Sequence, residues 1–163
     1  MSCLIGAIEN TPEGQALIAN YIRWNDAVHR KTPRPLIVFT TLRFSHGQPE
    51  VERSKPFADL IAPFGTFEAG TPEAQIDGRF TLDEKDVLLH KTSPGLTLSG
   101  VVMSTIYRLF DLDYNIFVIA DNVVALPVGQ NAEFKKVMLD TLLPKMNLKA
   151  ISLDEAIQAL CQS

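Results

Sequence analysis

Apolar residues recur at helical spacing in the first part of the chain. Leu17, Ile18, Tyr21, Ile22 and Val28 fall on one side, with Arg23, Asp26 and Arg30 on the other. Thr11-Pro12-Glu13 opens this stretch with a hydroxyl cap, a proline whose φ is already helical and an acid in the first turn. The pattern predicts a helix from about residue 12 to Lys31, closed by Pro33 and Pro35. Leu36-Ile37-Val38-Phe39-Thr40-Thr41 is a short two-sided apolar run, which predicts a buried parallel strand. Pro49, Pro56, Pro63 and Pro72 punctuate residues 42–85 and leave room only for short helices.

Val87-Leu88-Leu89 predicts a second strand after Asp86. The apolar stretch from Val101 to Phe110 predicts a helix that Ser99 can cap. Asn115 to Ala120 reads as a further strand, with Asp121 at its carboxyl end. Glu133 to Leu143 is amphipathic and is expected to stop at Pro144; Leu148 to Ile151 reads as a short strand. Ser152 and Glu155 form a capping box for a last helix through about Leu160. Strands alternating with helices predict one domain over residues 1–163, a three-layer α/β/α arrangement of the Rossmann-like kind. Its mostly parallel sheet should contain 35–41, 86–90 and 115–120 and be covered on both faces. Ligands in such sheets sit at the carboxyl ends of strands, which directs attention to Lys91, the Pro94–Val101 turn and Asp121.

Composition narrows the function classes. With 163 residues, 46% apolar and 21% charged, the chain is neither disordered nor fibrous. A net charge of -4 and the lack of a basic run remove the electrostatic footprint of a nucleic-acid or anionic-membrane protein. The two cysteines, Cys3 and Cys161, are too few for a disulfide framework or a tetrahedral zinc site, so a reducing compartment is expected. No apolar run suits a membrane span, and the opening residues lack a secretory pattern; a soluble cytoplasmic protein is expected.

The nucleophile inventory is thin. Cys161 lies at the fraying end of the last helix, and Cys3 reads as a small apolar residue of a first strand. There is no nucleophile elbow, phosphate loop or dinucleotide fingerprint. His29 should lie on a solvated helix face and His46 in a loop. His90 ends a strand beside Lys91, as either a surface residue or a site residue. Ser99-Gly100-Val101-Val102 entering a helix offers N–H groups to an anion or oxyanion, although an ordinary capped helix has the same sequence.

Six blocks, read in order, resemble the isochorismatase-like cysteine hydrolases. They are Arg34-Pro35-Leu36-Ile37-Val38-Phe39-Thr40, Gly70-Thr71-Pro72-Glu73-Ala74-Gln75-Ile76, Asp86-Val87-Leu88-Leu89-His90-Lys91-Thr92, Ser99-Gly100-Val101-Val102-Met103-Ser104-Thr105, Asp111-Leu112-Asp113-Tyr114 and Ile119-Ala120-Asp121-Asn122. The resemblance covers about residues 4–160. It implies a three-layer α/β fold, no cofactor, and hydrolysis of small amides or vinyl ethers by an Asp base, a Lys and a Cys nucleophile at a helix N-terminus. Carried onto this chain, the lysine is Lys91, the nucleophile position is Val101, and the base position is Ala7 within a shortened strand Leu4–Asn10, where Glu9 is the nearest acid. Ser99, Gly100 and Val101 occupy the oxyanion turn. Only Ser93-Pro94 stand between Lys91-Thr92 and Gly95, where the family has a helix and a central strand. A splice form, a gene-model gap and a genuinely shortened protein all give this pattern.

Three functions follow from these residues. One is a hydrolase-family protein with little or no activity that keeps a small-ligand pocket and a homo-oligomer interface. Another is a working hydrolase with a rearranged site drawn from Lys91, Glu9, His90 or Ser99. The third is a non-catalytic subunit that pairs with an intact homologue through the 101–110 helix.

Overall fold

The computed structural model describes residues 2–52, 55–92, 98–125 and 131–163. The chain is mixed α/β. Helix α1 (Ser2–Ile8) leads into α2 (Pro12–Arg30), and β1 (Val38–Leu42) follows. Two short helices, α3 (Pro49–Glu52) and α4 (Lys55–Ile61), precede β2 (Val87–Lys91). Helical winding from Leu98 continues into α5 (Met103–Phe110), and β3 (Phe117–Ile119) follows. Then come α6 (Asn131–Lys135), a π-wound segment, α7 (Leu143–Lys145), β4 (Lys149–Ile151) and α8 (Leu153–Gln162). No helix among the described residues is long and apolar enough to cross a membrane.

Local signals are realised closely where they are strongest. Thr11 caps α2 by accepting from the Gly14 N–H at 3.0 Å, and Lys31 closes the helix. At α8 both halves of the capping box are present: the Ser152 hydroxyl accepts from Glu155 N, and the Glu155 carboxylate accepts from Ser152 N.

The sheet differs from the expectation. β1 pairs parallel with β2, Val38 opposite Val87 through Leu42 opposite Lys91, and β3 pairs parallel with β4, Phe117 opposite Lys149. These are two separate two-stranded sheets, so 35–41, 86–90 and 115–120 do not form one sheet among the described residues. Residues 92–97 alone connect β2 to the winding at Leu98, a shorter stretch than the dozen-residue crossover that a further parallel strand needs.

The strands are also less covered than their sequences predict. Leu88 is 42% and Leu89 50% exposed, and Val87 is exposed as well. Among the described residues the buried apolar side chains gather in separate clusters, and Val87, Leu88 and Leu89 belong to none of them. The largest cluster joins Leu98, Met103 and Ile106 to Val118, Leu139 and Leu143. A second gathers Leu42, Phe44, Ile61 and Phe67 at the end of β1, and a third packs Ile5 against Ile18 and Phe80.

Three local expectations are corrected. Residues 2–8 form a helix, so the backbone at Cys3, Leu4 and Ala7 is not that of a strand; Ile5 and Ile8, three apart, bury one face of it. Ser99 lies inside the described helical winding rather than ahead of it, and Val102 at the start of α5 makes no side-chain cap. Pro144 does not stop the preceding helix. The winding passes through a π segment and continues one residue beyond Pro144, to Lys145.

Candidate functional site

The carboxyl ends of the two strand pairs carry the polar side chains best placed for binding. At the first pair, Thr41 lies opposite His90, and Arg43 follows β1 on the same side by strand alternation. The His90 Nδ1 lies 2.8 Å from Thr41 Oγ1, and Arg43 Nη1 donates to His90 Nε2 at 3.0 Å. With an arginine able only to donate, Nε2 accepts in this arrangement and Nδ1 is left to pair with the threonine hydroxyl. These groups open onto a cavity of about 450 Å³ floored by Ala74, Ile76, Leu82 and Leu88, with Thr71 at its side.

Lys91 is the next residue of β2 and lies opposite Leu42, so it serves the other face of the sheet. Leu42 is fully buried there in the second cluster. Partial burial draws the Lys91 ammonium below the usual lysine range. Lys91 and His90 therefore cannot act on one substrate atom from a common face.

The other expected site residues do not join them. Ala7 is exposed on α1, and Glu9, just past that helix, pairs with Arg79 at 3.3 Å. Val101 lies in the winding before α5, and its carbonyl accepts from the Ser104 hydroxyl at 3.1 Å. Gly100 shares that winding. The Pro94–Thr97 part of the expected turn and the Ser99 side chain lie outside the described residues. Cys161 is exposed and free near the end of α8.

At the second pair, Asp121 stands just beyond β3. Its Oδ2 accepts from Leu153 N at 2.7 Å, and its main-chain oxygen accepts from Asn20 Nδ2 at 3.2 Å. Here a cavity of about 220 Å³ lies between α2, this turn and α6. Lys135 lines it. Burial lowers the Lys135 ammonium, and the nearby Asp121 charge opposes that shift.

A third polar cluster joins the end of α2 to the start of β2. His29, expected on a solvated face, is 10% exposed, because helix periodicity turns it toward Asp86, which is 1% exposed. The His29 Nδ1 bonds Asn25 O at 2.8 Å and its Nε2 bonds Asp86 Oδ2 at 2.9 Å. Arg34 pairs with Asp83 and, at 3.0 Å, with Asp86 Oδ1, which lacks an aligned hydrogen bond despite that close cation. Donor atoms of His29, Asp83 and Asp86 lie within 4.8 Å of one another, as a metal site requires. Arg34 already supplies the positive charge, and the cluster acts as an ionic clasp.

Arg43 and Lys135 were not singled out by their sequence context. Arg43 has a local signal, its two-residue step from Thr41 along a strand. Lys135 has none, because its relation to Asp121 depends on how α6 packs. Comparison with family models, with curated proteins and with solved structures finds no match.

Proposed function

We propose that the chain is a degenerate hydrolase-family protein that binds a small organic carboxylate at Arg43 and His90 without hydrolysing it. The observation that carries this is the guanidinium held over an apolar floor at the carboxyl end of β1 and β2. One N–H of Arg43 is used by His90, and the remaining fork can engage a carboxylate in two parallel bonds. The Ile76, Leu82 and Leu88 side chains suit an apolar body attached to that carboxylate.

Turnover finds little support in the same residues. His90 has spent its basic lone pair on Arg43, Lys91 serves the opposite face, and Val101 offers no nucleophile. The resemblance to isochorismatase-like hydrolases accounts for the scaffold blocks and for Lys91, with Ala7 and Val101 marking the lost base and thiolate.

Titration calorimetry with benzoate and short aliphatic carboxylates tests the proposal. Arg43 is exposed, so Arg43→Ala should fold normally and bind about tenfold or more weakly, the loss of a charge-assisted bond. Equal affinity in the variant, or binding of uncharged amides as tight as of acids, overturns it.

A second function has its own observation. Val87 and Leu89 expose apolar side chains on a strand of a two-stranded sheet, which favours a role as a subunit in an assembly. Sedimentation of the purified chain, alone and with an intact homologue, decides between a monomer and such a subunit.

A further inference from the structure

We propose that the cavity between α2 and the Asp121 turn is a separate binding site for a small zwitterion of the amino-acid type. In it Lys135 takes the ligand carboxylate, and Asp121 takes its ammonium group. The site stands on geometry independent of the Arg43 cavity: it lies at the carboxyl end of the other strand pair, where parallel sheets present ligands.

The carboxylate half of the pair is held in place before any ligand arrives. Leu153 N fixes Asp121 Oδ2, Asn20 fixes its main-chain oxygen, and among the described residues the Oδ1 atom has no hydrogen-bond partner. Lys135 is half-buried, feels the Asp121 charge, and forms no ion pair within 4.0 Å among the described residues. Asp121 and Lys135 both line the cavity, and a partly desolvated ammonium sharing a cavity with a carboxylate suits a molecule that bridges both.

The charges around the cavity select the ligand class. Glu13 is a second acid in the wall, so a simple anion meets two carboxylates, and a simple cation meets Lys135. A zwitterion satisfies both signs. Leu17 and Val123 supply an apolar side for a short side chain, and 220 Å³ accommodates an amino acid of modest size while excluding a nucleotide.

Ligand-observed NMR and calorimetry on the full chain with L-alanine, N-acetyl-L-alanine and L-alaninamide test the assignment. Alanine should bind about tenfold or more tightly than either blocked form. Lys135→Met should weaken alanine about tenfold, whereas Lys135→Arg, which keeps the charge, should retain it. Asp121→Asn leaves an acceptor for Leu153 N and should abolish the preference for alanine over its N-acetyl form. The comparisons are made in the Arg43→Ala background, which removes carboxylate binding at the other cavity, so that failure of this site and failure of the Arg43 site are read separately. No alanine binding at about 10 mM, or equal binding of the blocked forms by the Arg43→Ala chain, overturns the assignment irrespective of how the Lys135 and Asp121 variants fold.

Discussion

The imidazole of His29, in the last turn of α2, lies 2.9 Å from the carboxylate of Asp86, the residue that precedes β2. The contact ties a helix C-terminus to a strand entry 57 residues later. Its charges reinforce each other. The cation lies at the negative end of the α2 dipole, and the carboxylate also accepts from Asp83 N.

This clasp predicts a stability optimum bounded on both sides by pH. Burial lowers the His29 value, but the bonds to Asp86 and to the Asn25 carbonyl outweigh it and raise it above its ordinary 6.5. Its contribution is therefore complete below 6.5 and fades as the pH rises through the folded value. Asp86 is the reverse case. Burial raises it, and the Asp83 N–H, His29 and Arg34 overcome that and hold it below 3.8, so its contribution fades as the pH falls through the depressed value. Thermal melts should show a plateau between these limits and a decline on the alkaline side, and His29→Ala should remove the alkaline decline. The same variant should lose about 2 kcal/mol at pH 6, the scale of a charge-assisted bond. A variant with unchanged alkaline decline would show that another group causes it.

Gly14→Ala should destabilise the chain although it improves helix propensity. A Cβ at this position would lie 1.9 Å from the Ile8 carbonyl oxygen, where α1 ends against α2. The Thr11 hydroxyl, which accepts from Gly14 N and donates to Ile8 O at 2.7 Å, holds that junction closed. Alanine gains about 1 kcal/mol of propensity in a helix interior, and less so near an end. The clash with backbone forces α1 away from the Ile5–Ile18–Phe80 cluster, an overpacking loss of about 1–3 kcal/mol. Urea unfolding should give a lower midpoint for the variant than for the unaltered chain, and a higher one refutes the close approach.

The elements that were legible in the sequence are those whose causes are local. Thr11-Pro12-Glu13 and Ser152 with Glu155 specify helix starts within a turn, and the structure has them. The pairing of β1 with β2 depends on groups about 50 residues apart, and the apolar runs at Leu36 and Val87 are equally compatible with a buried sheet or an open pair. Ile5 and Ile8 allowed either period in so short a run; in the helix both are buried, and Ile5 packs against Ile18 of α2 and Phe80. The place of His90 at the end of a strand was legible in the sequence. Its partner Arg43 required the register.

Placing the two catalytic side chains that the family resemblance implies at Val101 and Ala7 should not produce hydrolysis. Val101→Cys places a thiol in the winding before α5, but Ala7→Asp puts a carboxylate on the exposed face of α1. A general base within reach is worth about 10²–10⁴-fold. The double variant should therefore hydrolyse a simple amide such as nicotinamide no faster than Val101→Cys alone. A hundredfold rise from the added aspartate, of the order expected for a positioned base, would mean that Ala7 approaches the thiol after all.

The open strand pair makes the last expectation. Leu89 is 50% exposed near the middle of β2, and its neighbours Val87 and Leu88 are also exposed. Leu89 belongs to none of the three buried clusters, so Leu89→Lys should change stability by no more than about 0.5 kcal/mol, as at other surface positions. Its consequence should appear in association. A charge on a strand of a two-stranded sheet opposes pairing with another chain, because burying an ammonium against apolar side chains is costly. Light scattering across a concentration series should show less self-association for Leu89→Lys than for the unaltered chain. Unchanged association together with a large loss of stability would mean that Leu89 is covered within the monomer and that the exposed face of β2 is not where chains meet.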